Sequence, residues 1–163
     1  DPGVYTATVE ADEYRWELAD VDVAAGDRVV LVAPLKPEQV QIDLVERRIY
    51  TTQTIFFELD SAVLTSQSSA VLAALADALR DHPEVRRIRV EGHTDAQGNA
   101  EYNLRLSRER AQSVVDYLAA TGIHPDRLEA VGYGEERLLQ QGDLEEVHSV
   151  NRRVEFHITE VAE

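Results

Sequence analysis

Asp95, Asn103 and Arg110 have the residue types and the spacing to hold a doubly charged ligand. They lie in the run from Glu91 to Ala111, EGHTDAQGNAEYNLRLSRERA. Asp95 stands on a loop flanked by Gly92 and Gly98. Asn99 reads as the N-cap of a following helix, with Glu101 well placed in its first turn. On that helix Asn103 and Arg110 are two turns apart, so both fall on one face. An acid on a loop and a guanidinium on the adjoining helix suit a ligand that carries both an ammonium and a carboxylate. The arginine holds the carboxylate with two parallel N–H groups, and the aspartate accepts from the ammonium. Leu106 and Ser107 fall near the same stripe, where packing or backbone contacts are expected. The first-turn N–H groups of the helix have no intrahelical acceptors and favour a ligand carboxylate.

Other chemistries fit these residues less well. His93 with Glu91 and Asp95 has donor atoms for a metal, but positions i, i+2 and i+4 at a strand end do not converge by themselves, and no second histidine has ligand spacing. We therefore expect a structural or a hydrogen-bonding His93, with no metal and no cofactor. Ser61 and Ser107 have no evident histidine partner for nucleophilic catalysis. Asp60 and Asp95 across one cleft would resemble a glycosidase pair, but that arrangement leaves Arg110 without a role. Gly92, Gly98, Gly132 and Gly134 read as turn glycines, because neither phosphate-cradle spacing is present. A structural ion pair between Asp95 and Arg110 remains the alternative to a ligand site. Of Arg152 and Arg153, one is expected to pair with a nearby acid and the other to face solvent. Glu135-Glu136 and Glu145-Glu146 read as solvated surface.

The 163 residues suffice for one ordinary domain with a core and a small appendage. The net charge of -15, from 31 acids and 16 bases, makes nucleic acid a poor partner. The absence of cysteine excludes disulfides, thiolate metal sites and a cysteine nucleophile within these residues. No stretch approaches the ~18–20 apolar residues that span a membrane. No methionine is present, even at position 1. The chain is therefore expected to be a processed or excised piece, with any signal or anchor upstream of Asp1.

Two regions separate around Pro34-Leu35-Lys36-Pro37. Residues 1–36 form a β-rich segment: Tyr5, Ala7 and Val9 alternate with polar residues, Val21 and Val23 precede a turn, and 28–33 is a β-branched run. The pattern YTATVEADEY…VDVAAGDRVVLVAPL resembles the latter part of carboxypeptidase-regulatory-like β-sandwich modules. The segment is expected to be a partial sandwich or a hairpin appendage. Residues 37–49 read as linker and strand, through Val40, Ile42 and Leu44. Strand is expected over Ile49–Phe57. A helix capped by Thr65 follows, with Val71, Leu72, Leu75 and Leu79 as its apolar stripe and His82-Pro83 as its end. A strand is expected over Arg86–Glu91. The second helix has Leu104, Ala111, Val114, Val115 and Leu118 as its stripe and Gly122 as terminator. Leu128–Tyr133 and Arg153–Thr159 are strands, and 136–147 is a short helix or loop. Strands alternating with helices imply βαβ pairing, but the strands alternate apolar with polar residues. The expected fold class is therefore α/β (α+β): a two-layer sandwich with a βαβαβ-type mixed sheet, helices on one face and an antiparallel last strand.

Four motifs stand in order: IFFELDSAVL, VEGHTDAQGNAEYNLRLSRERAQSVVDYLAATGI, RLEAVGYGEERL and NRRVEFHI. In sequence and spacing they resemble the OmpA/MotB/Pal family of peptidoglycan-binding domains, over roughly 50–159, so the domain is placed at 50–163. Leu138-Leu139 and His148-Ser149-Val150 stand where the family carries a proline and a Gly-Arg pair. The resemblance implies non-catalytic binding of peptidoglycan through the diaminopimelate of its stem peptide, with Asp95 and Arg110 as the binding pair. It implies that Thr94 and the loop Phe57, Glu58 and Asp60 form the rim. It also implies a periplasmic location, with attachment to the outer membrane of a Gram-negative bacterium through a part outside this chain. An envelope protein-interaction module, working through the amino-terminal β segment, is the alternative function; a cell-wall hydrolase is a further one.

Overall fold

The computed structural model describes residues 3–11, 14–24, 39–58 and 60–162. It divides into two compact units, Asp1–Glu38 and Gln39–Glu163. In the first, β1 (Gly3–Ala11) and β2 (Tyr14–Val23) form an antiparallel hairpin, with Gly3 opposite Val23 and Ala11 opposite Tyr14. The run 28–33, expected as a third strand, lies outside the described residues.

Among its described residues the second unit holds five strands: β3 (Val40–Asp43), β4 (Arg48–Thr51), β5 (Val85–His93), β6 (Leu128–Gly134) and β7 (Val154–Val161). They form one sheet in the order β3-β4-β7-β5-β6. Only β5 and β6 pair in parallel, and helix α2 (Ala100–Ala120) makes the crossover between them. β7 runs antiparallel to both β4 and β5. The mixed sheet with an antiparallel last strand is the arrangement that the half-polar strands predict. Gln39–Thr51 therefore belongs to the sheet, and the unit begins ahead of Tyr50.

Helix α1 (Ser66–Asp81) starts at Thr65, whose hydroxyl accepts from the Ser68 N–H. It buries Val71, Leu72, Leu75 and Leu79 against Ile88, Val90, Phe156 and Ile158 from the sheet and Val114 and Leu118 from α2. Each such side chain removed from water stabilises the fold by roughly 1.5–3 kcal/mol. Asn99 caps α2 by accepting from the Tyr102 N–H, and Gly122 ends it with φ 99°. None of the helices among the described residues is long and apolar enough to cross a membrane.

Three local expectations are corrected. β4 stops at Thr51, and the rest of IYTTQTIFF is loop except for an isolated bridge from Phe57 to Leu64. The buried Ser68 hydroxyl takes over the strand partner's task at Phe56: it accepts from Phe56 N at 2.7 Å and lies 2.9 Å from Phe56 O. Leu104 is 44% exposed; the inward stripe of α2 runs Asn103, Ser107, Ala111, Val114 and Leu118. Helix α3 (Glu145–Asn151) begins later than expected and continues through His148-Ser149-Val150.

Candidate functional site

Two glycines bring α2 against the sheet. They are strand glycines rather than turn glycines. A Cβ on Gly92 would lie 2.1 Å from the Ser107 carbonyl oxygen, and one on Gly132 would lie 2.3 Å from the Arg108 nitrogen. Ser107 fastens this contact: its fully buried hydroxyl accepts from Gly134 N at 2.8 Å and donates to the Leu104 carbonyl at 2.8 Å. Gly134 itself has φ 53°, which lets β6 turn away under the helix. Leu106 is 8% exposed. The first half of α2 is thus fixed to the ends of β5 and β6, where the Asp95 loop departs.

That loop is braced from several sides. The Thr94 N–H donates to Gly134 O at 2.9 Å, and the buried Thr94 hydroxyl has no hydrogen-bond partner among the described residues. Asp95 is 7% exposed; its Oδ1 accepts from Gln97 N at 3.1 Å and its Oδ2 from Arg152 Nη1 at 2.8 Å. Asn103 is buried. Its amide nitrogen donates to Gln97 O at 2.9 Å and to Glu135 Oε2 at 2.7 Å, with Asp95 O at 3.5 Å. Those bonds occupy its amide protons, so Asn103 holds the loop in shape rather than offering a donor to a ligand.

Arg110 stands on the same helical stripe, half-buried. Its Nε donates to Ser61 O at 2.9 Å, and its guanidinium lies over the Phe57 ring, 5.1 Å from the centroid. No carboxylate pairs with it among the described residues, so the alternative of a closed Asp95–Arg110 ion pair is not what the chain forms. Burial lowers its pKa; Tyr102, Asp60 and Asp95 act in the opposite sense, and Arg152 reinforces the lowering. The two arginines and two aspartates therefore share one field. Asp60 is exposed with φ 48°, and Glu58 closes the turn through Ser61 N to Glu58 O at 3.2 Å.

Arg152 was not legible as a site residue. It was expected, with Arg153, to split between pairing and solvent, but both are paired. Arg152 bridges Asp95 and Glu145, which together raise its pKa, Glu145 contributing most. Arg153 holds Glu155 at 2.6 Å. The pairing of β5 with β7 places Arg152 beside Asp95, a neighbourhood that exists only in the assembled sheet.

A second ionic cluster lies on the sheet face that bears Arg89, Glu91, Glu155 and His157. Glu91, His93 and Glu155 bring one donor atom each within 4.8 Å of one another. Glu155, not Asp95, is the third member. Guanidinium groups already supply positive charge here: Arg137 at 3.2 Å and Arg89 at 3.9 Å from Glu91, Arg48 at 2.8 Å and Arg153 at 2.6 Å from Glu155. A divalent cation would add to that excess, so these carboxylates serve the arginines. His93 stacks on Tyr133, and neither ring nitrogen has a hydrogen-bond partner among the described residues. Burial, with Arg153 next in effect, pushes its pKa down to about 4.

This two-layer fold, with an acid on the loop after β5 and a half-buried arginine on the crossover helix, has relatives. The model of the OmpA family matches residues 56–152, and the chain belongs to that family. A peptidoglycan-associated lipoprotein of Legionella pneumophila is 38% identical over 112 residues, 66% of this chain and 63% of the relative. The chain thus spans under two thirds of that relative's length. Among solved structures, the peptidoglycan-associated lipoprotein from Burkholderia pseudomallei superposes with a TM-score of 0.59 at 34% identity, covering 65% of this chain and 89% of the other. The cell wall anchor of the T6SS from Pseudomonas aeruginosa gives 0.62 at 30% identity, covering 77% and 89%.

Proposed function

We propose that this chain binds cell-wall peptidoglycan without cleaving it, and that it grips the diaminopimelate residue of the stem peptide. The observation that carries this reading is Arg110: a half-buried guanidinium, aimed by Ser61 O and Phe57, with no carboxylate partner among the described residues. A ligand carboxylate completes it. The ligand ammonium goes to Asp95, a buried acid whose oxygens are each in one hydrogen bond and retain lone pairs. Charge-assisted hydrogen bonds of this kind contribute roughly 1.5–3 kcal/mol each. The pair demands both ligand charges at a fixed separation, which selects the free end of diaminopimelate over a simple amine or acid. Thr94, Phe57, Glu58 and Asp60 form the rim; Asn103, Leu106 and Ser107 hold the cleft in shape.

The names of the relatives support a role in anchoring an outer-membrane or envelope assembly to the wall from the periplasmic side. Among the described residues, nothing in the cleft is arranged for hydrolysis. The Ser107 hydroxyl is bonded to the backbone and has no histidine partner among the described residues, and Asp95 is engaged by Arg152. Sedimentation with isolated sacculi tests the assignment. The native chain is expected to pellet, and an Asp95→Ala, Arg110→Ala double variant to stay in solution. Undiminished pelleting of that variant removes the site.

A second role rests on the hairpin. β1 and β2 make a two-stranded sheet, so each has one edge without a strand partner among the described residues, a template for an added strand. An envelope protein partner at that edge is compatible with wall binding. A chain starting at Gln39 should keep the sacculus and lose such a partner; retention of the partner contradicts the role.

A further inference from the structure

We propose that a cavity beside Asp95 is a second subsite of the same site, taking uncharged secondary-amide groups of the wall polymer. The proposal rests on the wall-binding reading above. The cavity, of about 320 Å³, opens between Ala96-Gln97 and the segment 138–143, with His148 and Asn151 of α3 in its lining.

The cavity is built rather than incidental, because α3 fixes both of its walls. Asn151, 2% exposed, accepts from Leu139 N at 2.7 Å and Gln140 N at 3.2 Å, and it donates to Gln140 O at 2.8 Å. Buried His148 meets the Gln97 side chain at 3.0 Å between the two Nε2 atoms. Arg152, the residue after α3, holds Asp95 itself. One short helix therefore sets the distance from the cavity to the charged pair. Gln97 joins the two, since its N–H binds Asp95 while its side chain lines the cavity.

The lining names the chemistry. Gln140 and Gln141 line the space, are exposed, and have side chains that make no hydrogen bond among the described residues. Carboxamides both donate and accept, which matches the N–H and C=O of a secondary amide. Ala96 and Leu138 offer apolar surface for an adjoining methyl group. Among the described residues no arginine or lysine lines the cavity and Asp143 is its only carboxylate, so an anionic group would find no counter-charge. Peptide bonds of the stem and acetamido groups of the glycan both carry this chemistry, and both lie near a bound diaminopimelate in the polymer.

Calorimetric titration of the whole chain and of a Gln140→Ala, Gln141→Ala variant tests the subsite. The ligands are free diaminopimelate, a stem tripeptide containing it, and the same tripeptide on an N-acetylated disaccharide. Free diaminopimelate should bind both proteins equally. The variant should lose about tenfold in affinity for an amide-bearing ligand, the value of one or two neutral hydrogen bonds. A loss already present with the tripeptide assigns the cavity to the stem; a loss only with the disaccharide form assigns it to the glycan. Equal affinities for all three ligands overturn the subsite and leave the charged pair standing. Failure of the native chain to bind free diaminopimelate overturns the reading beneath it as well.

Discussion

Arg110 concentrates the functional argument in one side chain. Its contacts inside the chain are a carbonyl and an aromatic ring, so Arg110→Ala should cost only about 1 kcal/mol in stability. The same change should weaken ligand binding roughly 10–100-fold, because a charge-assisted pair is lost. Arg110→Lys should rescue little, since an ammonium cannot reproduce the planar fork; urea denaturation and calorimetry read the two quantities separately. His93 makes the opposite kind of prediction, one of stability alone. Its folded pKa is about 4 against an ordinary 6.5, so between those values the unfolded chain binds a proton that the folded chain does not. The stabilisation is complete above pH 6.5 and is lost as pH falls towards 4, about 3 kcal/mol in all. Stability against pH, measured in chelator for the native chain and for His93→Phe, should differ by that slope; identical slopes would contradict it. That Asn103 and Arg110 share one face of α2 was legible from their spacing. Arg152 was not, because its contact with Asp95 needs β7 to return beside β5.

At the scale of the element, the crossover helix decides whether the cleft exists. Gly92→Ala or Gly132→Ala places a methyl inside backbone contact distance, and neither the helix nor the strand can yield locally. Each should destabilise by about 3 kcal/mol, at the upper end of overpacking costs. Each should also weaken ligand binding, since Arg110 moves with α2. Leu104→Gln should instead be neutral within roughly 0.5 kcal/mol, as expected for an exposed position. Equal effects of Gly92→Ala and Leu104→Gln on chemical denaturation would refute this account of the helix–sheet contact. Hydrophobicity placed Leu104 inward, where the structure has the polar Asn103 and Ser107, because the inward stripe carries polar residues that serve the strand ends. The caps at Thr65, Asn99 and Gly122 were readable because their chemistry is local. The loop at Phe56 was not, since a serine on α1, distant in sequence, takes up its backbone N–H and C=O.

Across the whole molecule, the second unit carries the proposed binding by itself. A chain starting at Gln39 should fold and bind as the full chain does. One starting at Tyr50 should lose β3 and its pairing with β4, exposing Ile49's partners in the core, and so unfold at lower denaturant. Circular dichroism during urea titration distinguishes the two. The βαβ order, the one-sided burial and the antiparallel last strand follow from periodicity. The start of the domain does not, because Val40–Asp43 is a short strand beside a composition change that reads as linker. The most direct test of the central claim is calorimetric titration of diaminopimelate into the native chain, compared with diaminopimelate amidated at both carboxylates and acetylated at both amines. We expect saturable binding of the zwitterion and loss of roughly 10–100-fold when its charges are removed, with the same loss for Asp95→Asn or Arg110→Gln against the unmodified ligand. Equal affinity of the native chain for the charged and the neutralised ligand would contradict the account.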